Sequence, residues 1–148
     1  MDVSPGRRKL ADRLGAVDQV VPADDDALDR ILELAAGAGC EVTLDASGAA
    51  SARATALRAT RHSGRSVMVG EGGRLEIEVS PVIIHPQITV QGSWVTSTWR
   101  MAELVQNLVR WDLHPEVTIN DRFALADADD AYRLADSGRS GKVAITMP

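Results

Sequence analysis

The 148-residue sequence is short of aromatic side chains, with three tryptophans, one tyrosine and one phenylalanine. Its interior must therefore be built from Ala, Val, Leu and Ile. It has a single cysteine, Cys40, which excludes an internal disulfide. No apolar run approaches the ~20 residues that span a bilayer, and the first residues carry no apolar export core. Together these features predict a cytoplasmic setting. Lys and Arg number 16 against 21 Asp and Glu, a net charge of −5, and the cations are scattered. Nucleic-acid binding needs a clustered basic face, so neither nucleic acid nor membrane is an expected partner. There is no G-x-S-x-G nucleophile motif. His62, His85, His114 and Cys40 fall in unrelated segments, so the three or four convergent ligands that zinc requires are not legible.

What is present is an alternation of short apolar runs and amphipathic stretches. Residues 6–14 predict a helix closed by Gly15, and 19–21 predict a short buried strand. Asp24 can cap the next helix and Asp25 and Asp26 suit its positive end, and that helix carries Leu28, Ile31, Leu32 and Ala35 at helical spacing. Residues 42–45 read as a strand, 47–61 as a helix and 66–70 as a strand running into the turn Gly70-Glu71-Gly72-Gly73. That turn lacks the G-x-G-x-x-G spacing of a phosphate loop. Residues 75–79 alternate with period two and predict a half-exposed strand. A helical turn at 81–85, a strand at 88–92, a helix around Met101–Val109, a helix over 128–136 and a strand over 142–146 complete the reading.

Strands separated by helices predict an α/β fold with a mostly parallel sheet. Such sheets bind ligands at the carboxyl ends of their strands. Asp2, Ala46-Ser47-Gly48, Val69-Gly70-Glu71 and Gly92-Ser93 fall at or just past such ends. Taken singly, each has a plainer reading. A lone Asp2 is an ordinary exposed acid, Gly48 is as readily tight packing as ligand approach, and Trp94 and Trp99 suit a pocket or an interface equally.

Five stretches in order carry a resemblance: DVSPGRRKLADRLGA (2–16), EVTLDASG (41–48), GRSVMVG (64–70), ITVQGSW (88–94) and AYRLADSGRSGKV (131–143). In wording, order and spacing they resemble the nucleotide-binding half of the zinc-dependent medium-chain alcohol dehydrogenases. The resemblance implies an oxidoreductase with a nicotinamide cofactor. It implies a truncated Rossmann-type sheet over 1–122, with a helix and strand over 123–148 that return to a catalytic domain. The first strand and glycine-rich loop belong ~20 residues before Asp2, and the family's zinc ligands lie earlier still. The stretch is thus expected to be a fragment without turnover of its own and marginal when isolated.

The resemblance also assigns residues. Asp2 holds the adenosine ribose and favours NAD, while Arg7 beside it leaves NADP possible. Ala46, Ser47 and Gly48 approach the adenine-side ribose. Val69, Gly70, Glu71, Gly92 and Ser93 line the nicotinamide. Lys142 matches a cation that reaches the phosphates. Leu75–Val79 matches the strand that pairs across the family's dimer axis, which implies a homo-oligomer or a completing chain. The alternatives are a non-enzymatic nucleotide-binding or dimerising module and, less in keeping with the wording of 64–143, another Rossmann-like enzyme such as a methyltransferase.

Overall fold

A computed structural model describes residues 1–15 and 17–147. Ala16 and Pro148, which end two of the stretches named above, lie outside the described residues. The chain divides into two compact units, Met1–Val95 and Thr96–Pro148.

The first unit opens with α1, Pro5–Leu14. Its start is specified locally. Ser4 Oγ accepts from the Arg7 amide at 3.4 Å, and Pro5 occupies the first turn, where its missing N–H costs nothing. Gly15, at φ 62°, closes it in the left-handed conformation. A second helix, α2, spans Ala27–Leu34. Asp24 does not cap it directly, since its carboxylate accepts instead from the Asp26 amide at 3.2 Å.

Three parallel strands follow: β1 Cys40–Asp45, β2 Thr60–Met68 and β3 Thr89–Gly92, ordered β1-β2-β3. Between β1 and β2 runs α3, Ala50–Ala59, which buries Ala56, Leu57 and Ala59 against the sheet. Leu57 is the main apolar plug, at 1% exposure. Along β1 the two faces differ as period two requires. Asp45 is buried and Thr43 half-buried, whereas Val42 and Leu44 are exposed. The inner face contains a satisfied hydroxyl cluster. Thr43 Oγ1 lies 2.8 Å from Thr60 Oγ1 and 2.9 Å from the fully buried Ser66 Oγ. Thr60 Oγ1 also donates to the Ala56 carbonyl, so no hydroxyl is buried at the cost of a missing partner. Among the described residues β1 pairs only with β2.

The second unit holds α4 Thr98–Arg110, β4 Ile119–Ala124, α5 Ala128–Asp136 and β5 Lys142–Thr146. Strands β4 and β5 form a parallel pair. Ala131 of α5 is buried, and α5 lies against both strands. Helix α4 is well capped by Ser97, yet none of its residues is buried.

Four expectations change. Residues 19–21 form no strand; the Asp2–Pro22 contact is an isolated parallel bridge. The helix expected to reach Arg61 stops at Ala59, because β-branched Thr60 turns extended and begins β2. The β1–β2 register then jumps between Cys40–Thr60 and Val42–Arg65, so the intervening residues of β2 form an irregular bulge. Residues 75–79 form no strand among the described residues; Leu75 and Val79 are exposed. Strand β4 went unseen because its Asn120-Asp121-Arg122 centre looks like a turn, although Ile119, Asp121 and Phe123 share its more buried side.

Candidate functional site

The register places three of the candidate segments together. Asp45, Met68 and Gly92 end their strands in one row, since Asp45 pairs with Met68 and Met68 with Gly92. The segments Ala46-Ser47-Gly48, Val69-Gly70-Glu71 and Ser93 therefore leave the sheet at one edge. Ser93 is tied to that edge by its amide, which donates to the Met68 carbonyl at 2.9 Å. Ala46, Ser47, Val69, Glu71, Gly92 and Ser93 are all exposed there.

The loops after β1 and β2 touch backbone to backbone. A Cβ on Gly48 would strike the Glu71 carbonyl oxygen, and one on Gly70 would strike the Gly48 amide nitrogen. Gly48 also sits at φ +72°, where a side chain is strained. The two glycines are therefore required for loop packing, which is the plainer of the two readings of Gly48.

Asp45 organises this contact. Its carboxylate, 1% exposed, accepts from the Ser47 amide at 2.9 Å, the Ser47 hydroxyl at 2.7 Å and the Gly48 amide at 3.2 Å. The Arg53 Nε, one helix turn into α3, lies 3.2 Å from Asp45 Oδ2. The Asp45 carbonyl accepts from the Val69 and Gly70 amides at 2.8 and 3.0 Å. Burial alone would raise the Asp45 pKa, but the bonds from Ser47, Gly48 and Arg53 outweigh it, and the carboxyl sits below its ordinary value. The group is thus a structural anion.

Asp2 and Arg7 form a second cluster. The Asp2 backbone donates to the Val21 carbonyl and accepts from the Ala23 amide, which holds the residue on its bridge. One carboxylate oxygen accepts from the Ser4 amide at 2.7 Å, and the other lies 3.9 Å from Arg7. The side chain keeps 33% of its exposure, so it has open acceptor capacity. Arg8 is committed elsewhere, donating to the Asp2 and Val3 carbonyls at 2.8 and 3.0 Å. Lys142 opens β5 in the second unit and is exposed. Trp94 and Trp99 are both exposed, at 69% and 77%.

A cleft of about 280 Å³ lies at the opposite end of β1, where Cys40 begins the strand; Met1, Val21, Ile31 and Leu34 also line it. Its lining is mainly apolar, and it lacks the convergent polar groups of a cofactor site. The carboxyl edge, with its open loops, is the better candidate. Among the described residues, no group of three or more His, Cys, Asp or Glu side chains is placed to hold a metal ion, so these residues do not fit a zinc. No helix among them is long and apolar enough to cross a membrane.

Sequence reasoning missed Asp45 and Arg53 as parts of the site. The signal for Asp45 was an acid two residues before Ser47 and three before Gly48, the spacing of an Asx turn. Nothing local marks Arg53, whose partners are eight and seventeen residues away.

A family model described as zinc-binding dehydrogenase matches residues 1–110. The uncharacterised zinc-type alcohol dehydrogenase-like protein YphC of Escherichia coli is 40% identical over 148 residues, covering all of this chain and 42% of that protein. An L-threonine 3-dehydrogenase of Symbiobacterium thermophilum is 30% identical, covering 98% of this chain and 42% of that one. In fold, an alcohol dehydrogenase from Thermotoga maritima superposes with a TM-score of 0.85 at 24% identity, over 99% of this chain and 42% of that chain. The chain spans about two fifths of the length of these relatives. It is the α/β, parallel-stranded C-terminal part of their architecture, and it belongs to the zinc-binding dehydrogenase family.

Proposed function

We propose that the chain is the cofactor-binding part of an NAD-dependent alcohol dehydrogenase-like oxidoreductase. The observation that carries this reading is the row formed by Asp45, Met68 and Gly92, which brings three strand ends and their exposed loops to one edge. An open edge of this kind is where parallel sheets bind nucleotides. A bound nicotinamide would supply the carbon that accepts hydride from an alcohol. The protein's part is to hold it. Ala46, Ser47 and Gly48 are read against the adenine-side ribose, and Val69, Gly70, Glu71, Gly92 and Ser93 against the nicotinamide.

Asp2 supports NAD over NADP. Its half-exposed carboxylate can accept from ribose hydroxyls and would repel a 2′-phosphate. Arg8 is occupied with carbonyls, which leaves Arg7 as the nearby cation that makes NADP possible. The assignment of Lys142 rests on the family resemblance alone. No described residue is assigned a catalytic role, and turnover by this stretch alone is not expected. A cytoplasmic setting fits its single cysteine.

Isothermal titration of the protein with each dinucleotide tests the reading. Saturable NAD binding, at least roughly tenfold tighter than NADP, is expected, and Asp2→Asn should narrow the gap. No saturable binding of either would overturn it.

A second reading is favoured by one observation. Residues 75–79 carry alternating apolar side chains, lie largely exposed and form no strand among the described residues. They suit pairing with a second copy, or with another dehydrogenase chain, in a dimerising module.

A further inference from the structure

Arg53 spans two loops that no other side chain among the described residues is seen to join. Its Nε donates to Asp45 at 3.2 Å, on the β1 side, and its other arm donates to the Gly70 carbonyl, on the β2 side. The Arg53 side chain is 13% exposed and that of Asp45 1%, so both are largely withdrawn from water. A planar fork with fixed donor directions sets the spacing between its two acceptors. The same two loops meet where Gly48 and Gly70 leave no space for a Cβ, against the Glu71 carbonyl and the Gly48 amide respectively.

We propose that Arg53 is a positioning residue, clasping the 46–48 and 69–71 loops in the one arrangement that receives the dinucleotide. The inference rests on the cofactor reading above and adds to it a residue that does not itself touch the ligand. Arg53 sits on α3, so the clasp also fixes both loops to the helix whose Leu57 plugs the core. Without the fork, the loops would sample other spacings. Apparent affinity falls in proportion to the fraction of molecules that hold the competent one.

Arg53→Lys is the discriminating variant. It keeps a cation for Asp45, but one ammonium cannot reproduce the fork across to Gly70. Amide hydrogen exchange should quicken roughly tenfold or more at Gly48, Val69 and Gly70 and stay unchanged at Leu57 in the core. NAD should bind roughly tenfold more weakly, with the melting temperature nearly unmoved. Should Arg53→Met fold as well, it should show still faster exchange and weaker binding, with a lowered melting temperature because Asp45 loses its counter-charge. Unchanged exchange at Gly48 and Gly70 in Arg53→Lys would overturn the clasp. Faster exchange with unchanged NAD affinity would overturn its role in binding. If the unsubstituted protein binds no dinucleotide, the cofactor reading fails, and the exchange result alone decides for or against the clasp.

Discussion

Gly48 and Gly70 meet so closely that a methyl group on Gly70 would overlap the Gly48 amide. This contact joins the loop after β1 to the loop after β2 and sets the shape of the candidate edge. Neither glycine can accept a side chain there without displacing backbone.

Gly48→Ala should be strongly destabilising. The new Cβ would collide with the Glu71 carbonyl, which is backbone and cannot swing away, and alanine is strained at φ +72°. A cost of at least ~2 kcal/mol is expected, read as a lowered urea midpoint. Gly37→Ala provides the control. That glycine has a similar φ of +77° but open space around it, so it should cost only the ~1 kcal/mol of backbone strain. Equal losses at the two positions would show that the loop contact contributes nothing.

The acid limb of stability should report Asp45. Its folded-state pKa is lowered, so the carboxylate contributes stability that is fully present above its unfolded value near 3.8. That contribution is lost as pH falls from there through the lowered folded value. Urea midpoints measured downward from pH 5 should therefore fall. In Asp45→Asn the protein should start less stable at neutral pH, because Arg53 is left without its counter-charge, and its profile should be flatter below pH 4. Parallel acid profiles for the two proteins would contradict the assignment.

Self-association should depend on residue 77. If the unpaired 75–79 segment forms a ladder with a second copy, Ile77→Asp places a charge in the middle of it. Light scattering should then show a shift from dimer to monomer while the melting of the first unit stays unchanged. A dimer that persists would remove this segment as the interface.

Much of the fold was legible from local signals. Ser4-Pro5 and Gly15 bracket α1 because capping and a left-handed glycine are properties of a few adjacent residues. Helix α5 and strand β5 fall where their periodicities place them, at Ala128–Asp136 and Lys142–Thr146. The elements that were misread depend on distant partners. Val20 and Val21 have the composition of a strand, but the isolated bridge beside them is formed by Pro22 with Asp2. Thr60 and Arg61 have neighbours that suit a helix, yet Thr60 pairs with Cys40 of β1 and Arg61 follows it into the bulge of β2. Strand β4 is polar at its centre and exists because β5 supplies its ladder.

The sequence by itself determined the kind of protein this is. Apolar runs of strand length alternating with amphipathic stretches force parallel strands joined by helices, and the family's wording survives in short contiguous segments that need no structure to be read. Glycines and small residues after each strand likewise marked the edge to inspect. Only the tertiary structure decided how that edge is held. Which carboxylate is buried, which arginine answers it and which two loops are pressed together depend on strand register and on the packing of α3. Asp45 and Gly70 are twenty-five positions apart, and Arg53 lies between them in a helix. Their meeting is a property of three dimensions, because a buried charge can be placed only where all of its partners have already converged.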